Sequence, residues 1–183
     1  MKTSPFQKLF WVSLLTFVFG FSGSALSLEI EVDPIAYALK GYSLHLVYPQ
    51  ETTRFDVGVF AIELPEDSDN ANFDVYFQGY GLKWDYFGKD PDGLFAGIQA
   101  SVVEAQFTYN NSSSLYHEES TSRTVNNYGV RIGYRFGFGN AFVSPWISVD
   151  YNEISGEDVK FGDETYQQKT VTFFPTVHLG YRF

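Results

Sequence analysis

The chain has 183 residues, no cysteine and a formal net charge of −10, and this size suits a single domain. Such acidity argues against nucleic acid as a partner. The lack of cysteine excludes disulfide bonds. A chain without disulfide bonds must be stabilised by its own sheet and packing, or, if it is exported to a membrane, by lipid.

The first 27 residues predict a secretory signal peptide. Lys2 and Lys8 precede an apolar stretch over 9–21, and small residues follow it up to Ser27. The alternative is a membrane-anchoring helix, but a span needs about 20 apolar residues. We expect 1–27 to be removed and 28–183 to form the mature domain. Loss of the two lysines leaves ten basic residues against 22 acidic ones, a net charge of −12.

Residues 28–40 allow two interpretations. Leu28, Ile30 and Val32 alternate with acidic residues, which predicts a short strand. The Asp33-Pro34 pair is typical of a helix start and Gly41 of a helix end, so about two helical turns should follow. The stretch either forms a wall strand with a helix at the rim or lies inside the barrel as a plug. The wall strand is preferred because bacterial barrels have even strand numbers.

Seven longer segments show the two-residue period of β-strands, over 42–48, 54–63, 73–87, 94–109, 124–138, 141–152 and 169–183. In 94–109 the apolar positions change parity after Val102, and a similar change occurs near Gly79, which predicts a β-bulge. Brief turns at 49–53, 88–93 and 137–140 alternate with longer hydrophilic loops at 64–72, 110–121 and 153–168. This alternation is typical of an up-and-down membrane barrel.

Alternation alone does not show which face of the strands points into the barrel, because a water-soluble barrel has the same period with its apolar face inward. The polar face here is rich in glycine, carries charges of both signs, and is flanked by aromatic residues near the strand ends. Small residues and paired charges suit a narrow enclosed space, and aromatic girdles suit membrane interfaces. We therefore expect an apolar face against lipid and a filled, ion-paired lumen that does not conduct freely.

The last strand alternates back from Phe183 through Tyr181, Leu179 and Val177. This ending in Phe, with the signal and the strand pattern, resembles the small bacterial outer-membrane barrels of the outer-membrane protein A, X and W types. The resemblance implies an all-β, eight-stranded antiparallel transmembrane barrel in the bacterial outer membrane. It also implies contact with outer-membrane lipid and lipopolysaccharide, insertion by the barrel assembly machinery through the terminal strand, and a monomer with acidic loops outside.

The leading functional hypothesis is a non-enzymatic barrel with a role in envelope integrity or surface interaction. A third hypothesis, after the enzyme considered below, is a narrow porin-like channel for small or hydrophobic solutes. His117 lies beside Glu118 and Glu119 in a long loop, but this spacing has no specificity for a metal. We expect no metal and no cofactor.

The second hypothesis is a lipid A modifying enzyme with Ser43, His45 and Asp56 as catalytic residues. A symmetric hairpin at 49–53 would place His45 opposite Asp56, with Ser43 one inward position away. A hydroxyl, an imidazole and a carboxylate in this order are what nucleophilic acyl chemistry needs. Eight-stranded lipid A deacylases and palmitoyl transferases give a family analogy. A structural lumen pair remains the preferred interpretation, because a polar lumen brings such residues together by chance.

Pro145 and Pro175 fall on the apolar face of the last two long strands, nearly symmetric about the loop between them. Proline cannot donate to a β-ladder. By analogy with the palmitoyl transferases, the pair could open a lateral gap through which a lipid chain enters. The preferred alternative is that each proline lies at a bulge or where its missing donor is not needed.

Overall fold

A computed structural model describes residues 28–64, 68–88 and 90–183, so the predicted signal peptide lies outside the described residues. Within these ranges the chain forms one α-helix, a short 3₁₀ helix at Ser68–Asn70, and eleven strands. The helix is α1 (Pro34–Ala38). The strands are β1 (Glu29–Val32), β2 (Tyr42–Pro49), β3 (Thr53–Glu63), β4 (Phe73–Tyr86), β5 (Leu94–Tyr109), β6 (Ser120–Tyr134), β7 (Phe136–Phe138), β8 (Ala141–Ile154), β9 (Lys160–Phe161), β10 (Glu164–Thr165) and β11 (Val171–Arg182).

Eight of the described strands, namely β1 to β6, β8 and β11, close into one antiparallel ring. The closing strand is β1, whose Glu29 lies opposite Arg182 of β11 on one side and Val47 of β2 on the other. The predicted eight-stranded barrel is therefore confirmed, and residues 29–32 belong to the wall and not to a plug. In the described ranges, no helix has the length and apolar character needed to cross a membrane.

The two ends of the barrel differ. Brief connections between β2 and β3, β4 and β5, and β7 and β8 define what we call the turn end. The loop end carries α1, the connections 64–72 and 110–119, and residues 155–170, within which β9 and β10 form a small hairpin. The predicted alternation of short and long connections is confirmed.

Helix α1 begins as predicted and ends one residue early. The side chain of Asp33 accepts a hydrogen bond from the Ile35 N–H at 2.8 Å, which satisfies a free donor of the first turn. The residue with left-handed backbone after the helix is Lys40, with φ 56°, so the prediction of Gly41 in this role is wrong. Gly41 is instead required by close packing, because a Cβ there would overlap the carbonyl oxygen of Ala61.

The predicted β-bulge in β5 is wrong. The β4–β5 ladder keeps one register from Phe73 opposite Tyr109 to Tyr86 opposite Ala96, without a slip. Inward and outward positions keep alternating along the whole strand, but after Val102 the residue types on the two faces are exchanged. The inward face becomes apolar, with Val103, Ala105, Phe107 and Tyr109 buried, while the outward face becomes polar, with Glu104, Gln106 and Thr108.

Strand β4 shows the same reversal near Gly79, where the register is also continuous. Towards the loop end its inward residues Phe73 and Val75 are buried, whereas Asp74 and Gln78 face outward and are exposed. The barrel therefore has two zones. Near the turn end it is apolar outside and charged inside, and near the loop end it is polar outside with a hydrophobic core inside.

Candidate functional site

The charged zone of the lumen contains a continuous chain of ion pairs, which we call the ion-pair cluster. Four carboxylates alternate with four guanidinium groups, in the order Asp92, Arg182, Glu29, Arg135, Glu31, Arg54, Asp85 and Arg131. Both carboxylates of β1 lie at its centre, with Arg135 donating to Glu29 at 3.0 Å and to Glu31 at 2.9 Å. The prediction of an ion-paired lumen is confirmed for this zone.

Aromatic rings cover the guanidinium groups of the ion-pair cluster. The Arg54 guanidinium lies 4.6 Å from the ring centroid of Phe87, and that of Arg135 lies 3.9 Å from the Phe142 centroid. The Arg131 guanidinium lies 4.2 Å from the Trp146 centroid. Such stacking is favourable when the cation is removed from water. The turn-end zone is thus filled by paired charges and rings.

A smaller polar group lies next to the ion-pair cluster, further from the turn end. His45 Nδ1 lies 2.8 Å from Asp56 Oδ1, and Lys83 Nζ donates to Asp56 Oδ2 at 3.0 Å. His178 Nδ1 lies 2.7 Å from Glu31 Oε2. The two imidazole rings lie with centroids 4.8 Å apart, so this group links β2, β3, β4, β11 and β1.

The predicted symmetric hairpin between β2 and β3 is wrong by two residues, because His45 lies opposite Gly58 and Asp56 opposite Val47. The imidazole and carboxylate nevertheless meet diagonally across the strands. The Ser43 hydroxyl accepts a hydrogen bond from the Asp33 N–H at 3.2 Å. Among the described residues no hydrogen bond joins Ser43 to His45, so two of the three candidate catalytic residues are brought together and the nucleophile is not.

Glu31, Asp56 and His178 each offer a ligand atom, and these atoms lie within 4.8 Å of one another. Glu31 already contacts Arg54 and Arg135, and Asp56 contacts Lys83. These cations neutralise the carboxylates that a metal would need. We therefore assign no metal site to this group.

Towards the loop end the lumen opens into a cavity of about 560 Å³, which we call the chamber. Its floor includes His45, Lys83, Trp146 and His178, and its walls are largely apolar, including Val75, Phe77, Val103 and Val125. The prediction of a filled lumen is therefore wrong for this half. The sequence did contain a sign of this apolar cavity, namely the change of parity of the apolar positions in 94–109. We interpreted this change as a β-bulge instead.

The hairpin over residues 159–166, which we call the lid hairpin, covers the chamber at the loop end. The Tyr166 ring packs edge-on against Phe107, with centroids 4.8 Å apart, and itself lines the chamber. Glu164 accepts hydrogen bonds from Asn72 Nδ2 at 2.8 Å and from Tyr109 Oη at 2.7 Å. The bond from Asn72, then that from Tyr109, lowers the pKa of Glu164.

The seam between β8 and β11 is closed. Its ladder runs from Val171 opposite Tyr151 to Tyr181 opposite Ala141 and passes both prolines without interruption. The predicted lateral gap between these two strands is therefore wrong. Pro145 lies between residues 146–154 of β8, which pair with β6, and residues 141–143, which pair with β7, and the register is the same in both stretches. Of the two alternatives for the prolines, a position where the missing N–H donor is not needed fits Pro145. A bulge does not, because the register does not shift there.

The chain matches no family model and no curated protein. Among solved structures it is similar to a major outer membrane protein from Thermus thermophilus, known from a crystal structure. The TM-score is 0.48 and the sequence identity 16%, over 87% of this chain and 100% of that chain.

Proposed function

We propose that this chain is a non-enzymatic integral protein of the bacterial outer membrane, exported with the help of residues 1–27. The observation that carries the proposal is the outward apolar belt around a charged interior. Leu82, Ile98 and Val130 are 59%, 56% and 60% exposed, while Asp85 and Arg135 are buried at 0% and 1%. In water this arrangement would leave a belt of large apolar side chains exposed to solvent, whereas in lipid the same belt has an apolar surrounding. The buried charges are out of water in both cases, and their ion pairs offset this cost.

The height of the belt fits a bilayer. On β5 the outward apolar residues run from Leu94 to Val102, nine positions along the strand. At about 3.4 Å per residue and a tilt of roughly 40°, this stretch spans about 20 Å, close to the roughly 25 Å apolar band of outer-membrane barrels. Tyr86, Tyr128, Tyr134 and Tyr151 lie outward near the edges of the belt, where interfacial aromatic residues are favoured.

Closure of the ring supports a monomer in contact with outer-membrane lipid and lipopolysaccharide. A lipid-exposed sheet edge would leave backbone groups without partners, and β1 removes this edge near the turn end by pairing with residues 45–47 of β2 and 179–182 of β11. We expect the barrel assembly machinery to act on β11 and the terminal Phe183. With the turn end in the periplasm, the acidic loops face outward and suit a role in envelope integrity or surface interaction.

The ion-pair cluster argues against a conducting channel, because paired charges and rings fill the turn end. Fractionation of outer membranes and the migration of unboiled and boiled protein on gels test the proposal. We expect an outer-membrane protein whose migration changes on heating, and no stepwise current in planar bilayers. A monomer that is freely soluble without detergent would refute membrane insertion, and stepwise current would favour the channel.

A lipid A modifying enzyme remains the second candidate, because the contact between His45 and Asp56 matches the base and carboxylate of an acyl-transfer site. The Ser43→Ala variant tests it through mass spectrometry of lipid A from cells that express either form. An unchanged lipid A profile would remove the enzyme hypothesis. A profile that changes only with the wild-type chain would replace our proposal.

A further inference from the structure

The barrel wall is incomplete between β2 and β11 on the loop-end side of β1. Strand β1 pairs with β11 only at residues 179–182 and with β2 only at residues 45–47. Beyond these positions, residues 171–178 and 42–44 have no described strand between them. Helix α1 lies in this interval, and we call the line between α1 and residues 171–178 the α1 gap.

Pro175 lies on the α1 gap with its backbone nitrogen directed towards it. The Asn152 N–H donates to the Thr170 carbonyl at 2.7 Å. Hydrogen-bonded pairs alternate with non-hydrogen-bonded pairs along an antiparallel ladder, so Pro175 and Ile147 form a non-hydrogen-bonded pair. The nitrogen of Pro175 therefore points away from β8, and a residue with an N–H would present an unpaired donor to the α1 gap.

Side chains satisfy other polar groups along the α1 gap. The Tyr37 hydroxyl of α1 donates to the Ser43 carbonyl of β2 at 2.8 Å. Thr176 of β11 donates to the Asp33 carboxylate at 2.6 Å. The first contact satisfies a backbone carbonyl that a longer β1 could pair, and the second joins two side chains across the α1 gap. The two sides of the α1 gap are thus joined by side chains of α1 and its flanking residues and not by strand pairing.

The chamber borders the α1 gap. Phe173 and Pro175 point outward on β11, and Phe173 is 71% exposed, yet both residues line the chamber. Ile35 and Leu39, at either end of α1, line it from the opposite side. Outward residues of β4 and β5 also border the chamber, but the ladder between those strands has no gap.

We propose that the chamber binds an acyl chain of a membrane lipid, which enters sideways through the α1 gap. The inference rests on membrane insertion as proposed above. About 560 Å³ falls within the size of small-molecule pockets, roughly 300–1,000 Å³. The walls are mainly apolar, and the polar side chains among them, such as Gln99, Asn127 and Asn152, are hydrogen-bonded to other side chains of the barrel. Lys83 on the floor is paired with Asp56, and the lid hairpin covers the loop end. A chain without polar groups fits these walls, and the mouth faces the apolar belt that holds such chains.

Two tryptophans make the proposal measurable. Residues 28–183 contain only Trp84 and Trp146. Trp84 faces outward from β4 and is 37% exposed, whereas Trp146 is 6% exposed and lines the chamber. Bromine atoms on acyl chains quench tryptophan fluorescence at short range. The Trp84→Phe variant therefore reports chains that reach the chamber, and the Trp146→Phe variant reports chains in the surrounding bilayer.

The experiment uses the full barrel in phosphatidylcholine vesicles whose acyl chains are brominated or plain. We expect Trp146 fluorescence in the Trp84→Phe background to be lower in brominated vesicles. Val103→Phe should fill the chamber and remove most of this quenching. The matched control is Val102→Phe, one residue away on the same strand but outward, which should leave quenching unchanged. If Val103→Phe does not show heat-modifiable migration, Val125→Phe replaces it.

Other outcomes overturn the inference separately from the proposed function. Equal quenching of Trp146 in all chamber variants would mean that bromine acts through the wall. Quenching by a brominated fatty acid added from water, but not by brominated phospholipid, would mean entry from the loop end and not through the α1 gap. If Trp84 is quenched and Trp146 is not, the barrel is inserted but the chamber excludes lipid. If Trp84 is not quenched either, membrane insertion itself fails.

Discussion

The ion-pair cluster allows a quantitative test through Asp85. This carboxylate is 0% exposed and contacts Arg54 Nε at 2.6 Å and Arg131 Nε at 3.1 Å. Asp85→Asn keeps the shape and removes the charge, so three carboxylates would face four guanidinium groups in the cluster. Arg54 would keep Glu31, but Arg131 has no other carboxylate in the cluster.

The expected magnitude follows from this asymmetry. Loss of one partner of a buried ion pair typically costs about 3–5 kcal/mol, and we expect Asp85→Asn to lower the free energy of unfolding by this amount. Arg131→Met should cost about 1 kcal/mol or less, because Arg131 contacts a single carboxylate of the cluster and Asp85 would keep Arg54. The double variant has three charges of each sign, so it should be more stable than Asp85→Asn alone by about 2 kcal/mol.

Urea unfolding of the barrel in vesicles, followed by tryptophan fluorescence and by gel migration, measures these differences. Asp74→Asn is the matched control, because Asp74 lies on the same strand but is exposed on the outward face. It should change the free energy of unfolding by no more than about 0.5 kcal/mol. The reasoning is refuted if Asp85→Asn costs no more than this control, or if Arg131→Met makes Asp85→Asn worse.

Two further predictions concern the loop end and the helix. The hydrogen bonds from Asn72 and Tyr109 hold the pKa of Glu164 below its usual value, so their stabilisation of the lid hairpin is complete at neutral pH and is lost as the pH falls through the lowered pKa. Hydrogen exchange of the lid hairpin, corrected for intrinsic rates, should accelerate in acid; in Glu164→Gln, which keeps only one acceptor oxygen, it should be faster than in the wild type at neutral pH and should no longer change in acid. Wild-type protection with the same acid response in that variant would contradict this. Gly41→Ala should lower the free energy of unfolding by about 1–3 kcal/mol, because its Cβ would overlap the carbonyl oxygen of Ala61; unchanged urea unfolding would contradict the close approach.

Alternation of side chains was sufficient to predict seven long strands, because a period of two is a property of the strand itself. The eighth, at residues 29–32, also needed the even strand number of bacterial barrels. Which residues face each other across a hairpin depends on turn geometry, and a two-residue error at Asp56 was invisible in the pattern. The chamber was missed for a different reason. The apolar set in β5 changes parity after Val102 because the chemistry of both faces changes, with polar residues replacing apolar ones outside and a hydrophobic core replacing ion pairs inside. Periodicity alone does not distinguish this reversal from a bulge.

The short length of β1 connects the ion-pair cluster to the α1 gap. Pro34 follows Asp33 and cannot donate to a ladder, so the strand ends after Val32 and the chain turns into α1. Four residues offer few backbone hydrogen bonds to either neighbour, yet these residues must close the barrel. Glu29 and Glu31 add side-chain attachments, to Arg182 of the neighbouring β11 and to Arg54 and Arg135 in other parts of the wall. A longer β1 would pair with residues 171–178 and remove the α1 gap, so the short closing strand that needs these charges at the turn end is also the strand that leaves the wall incomplete at the loop end.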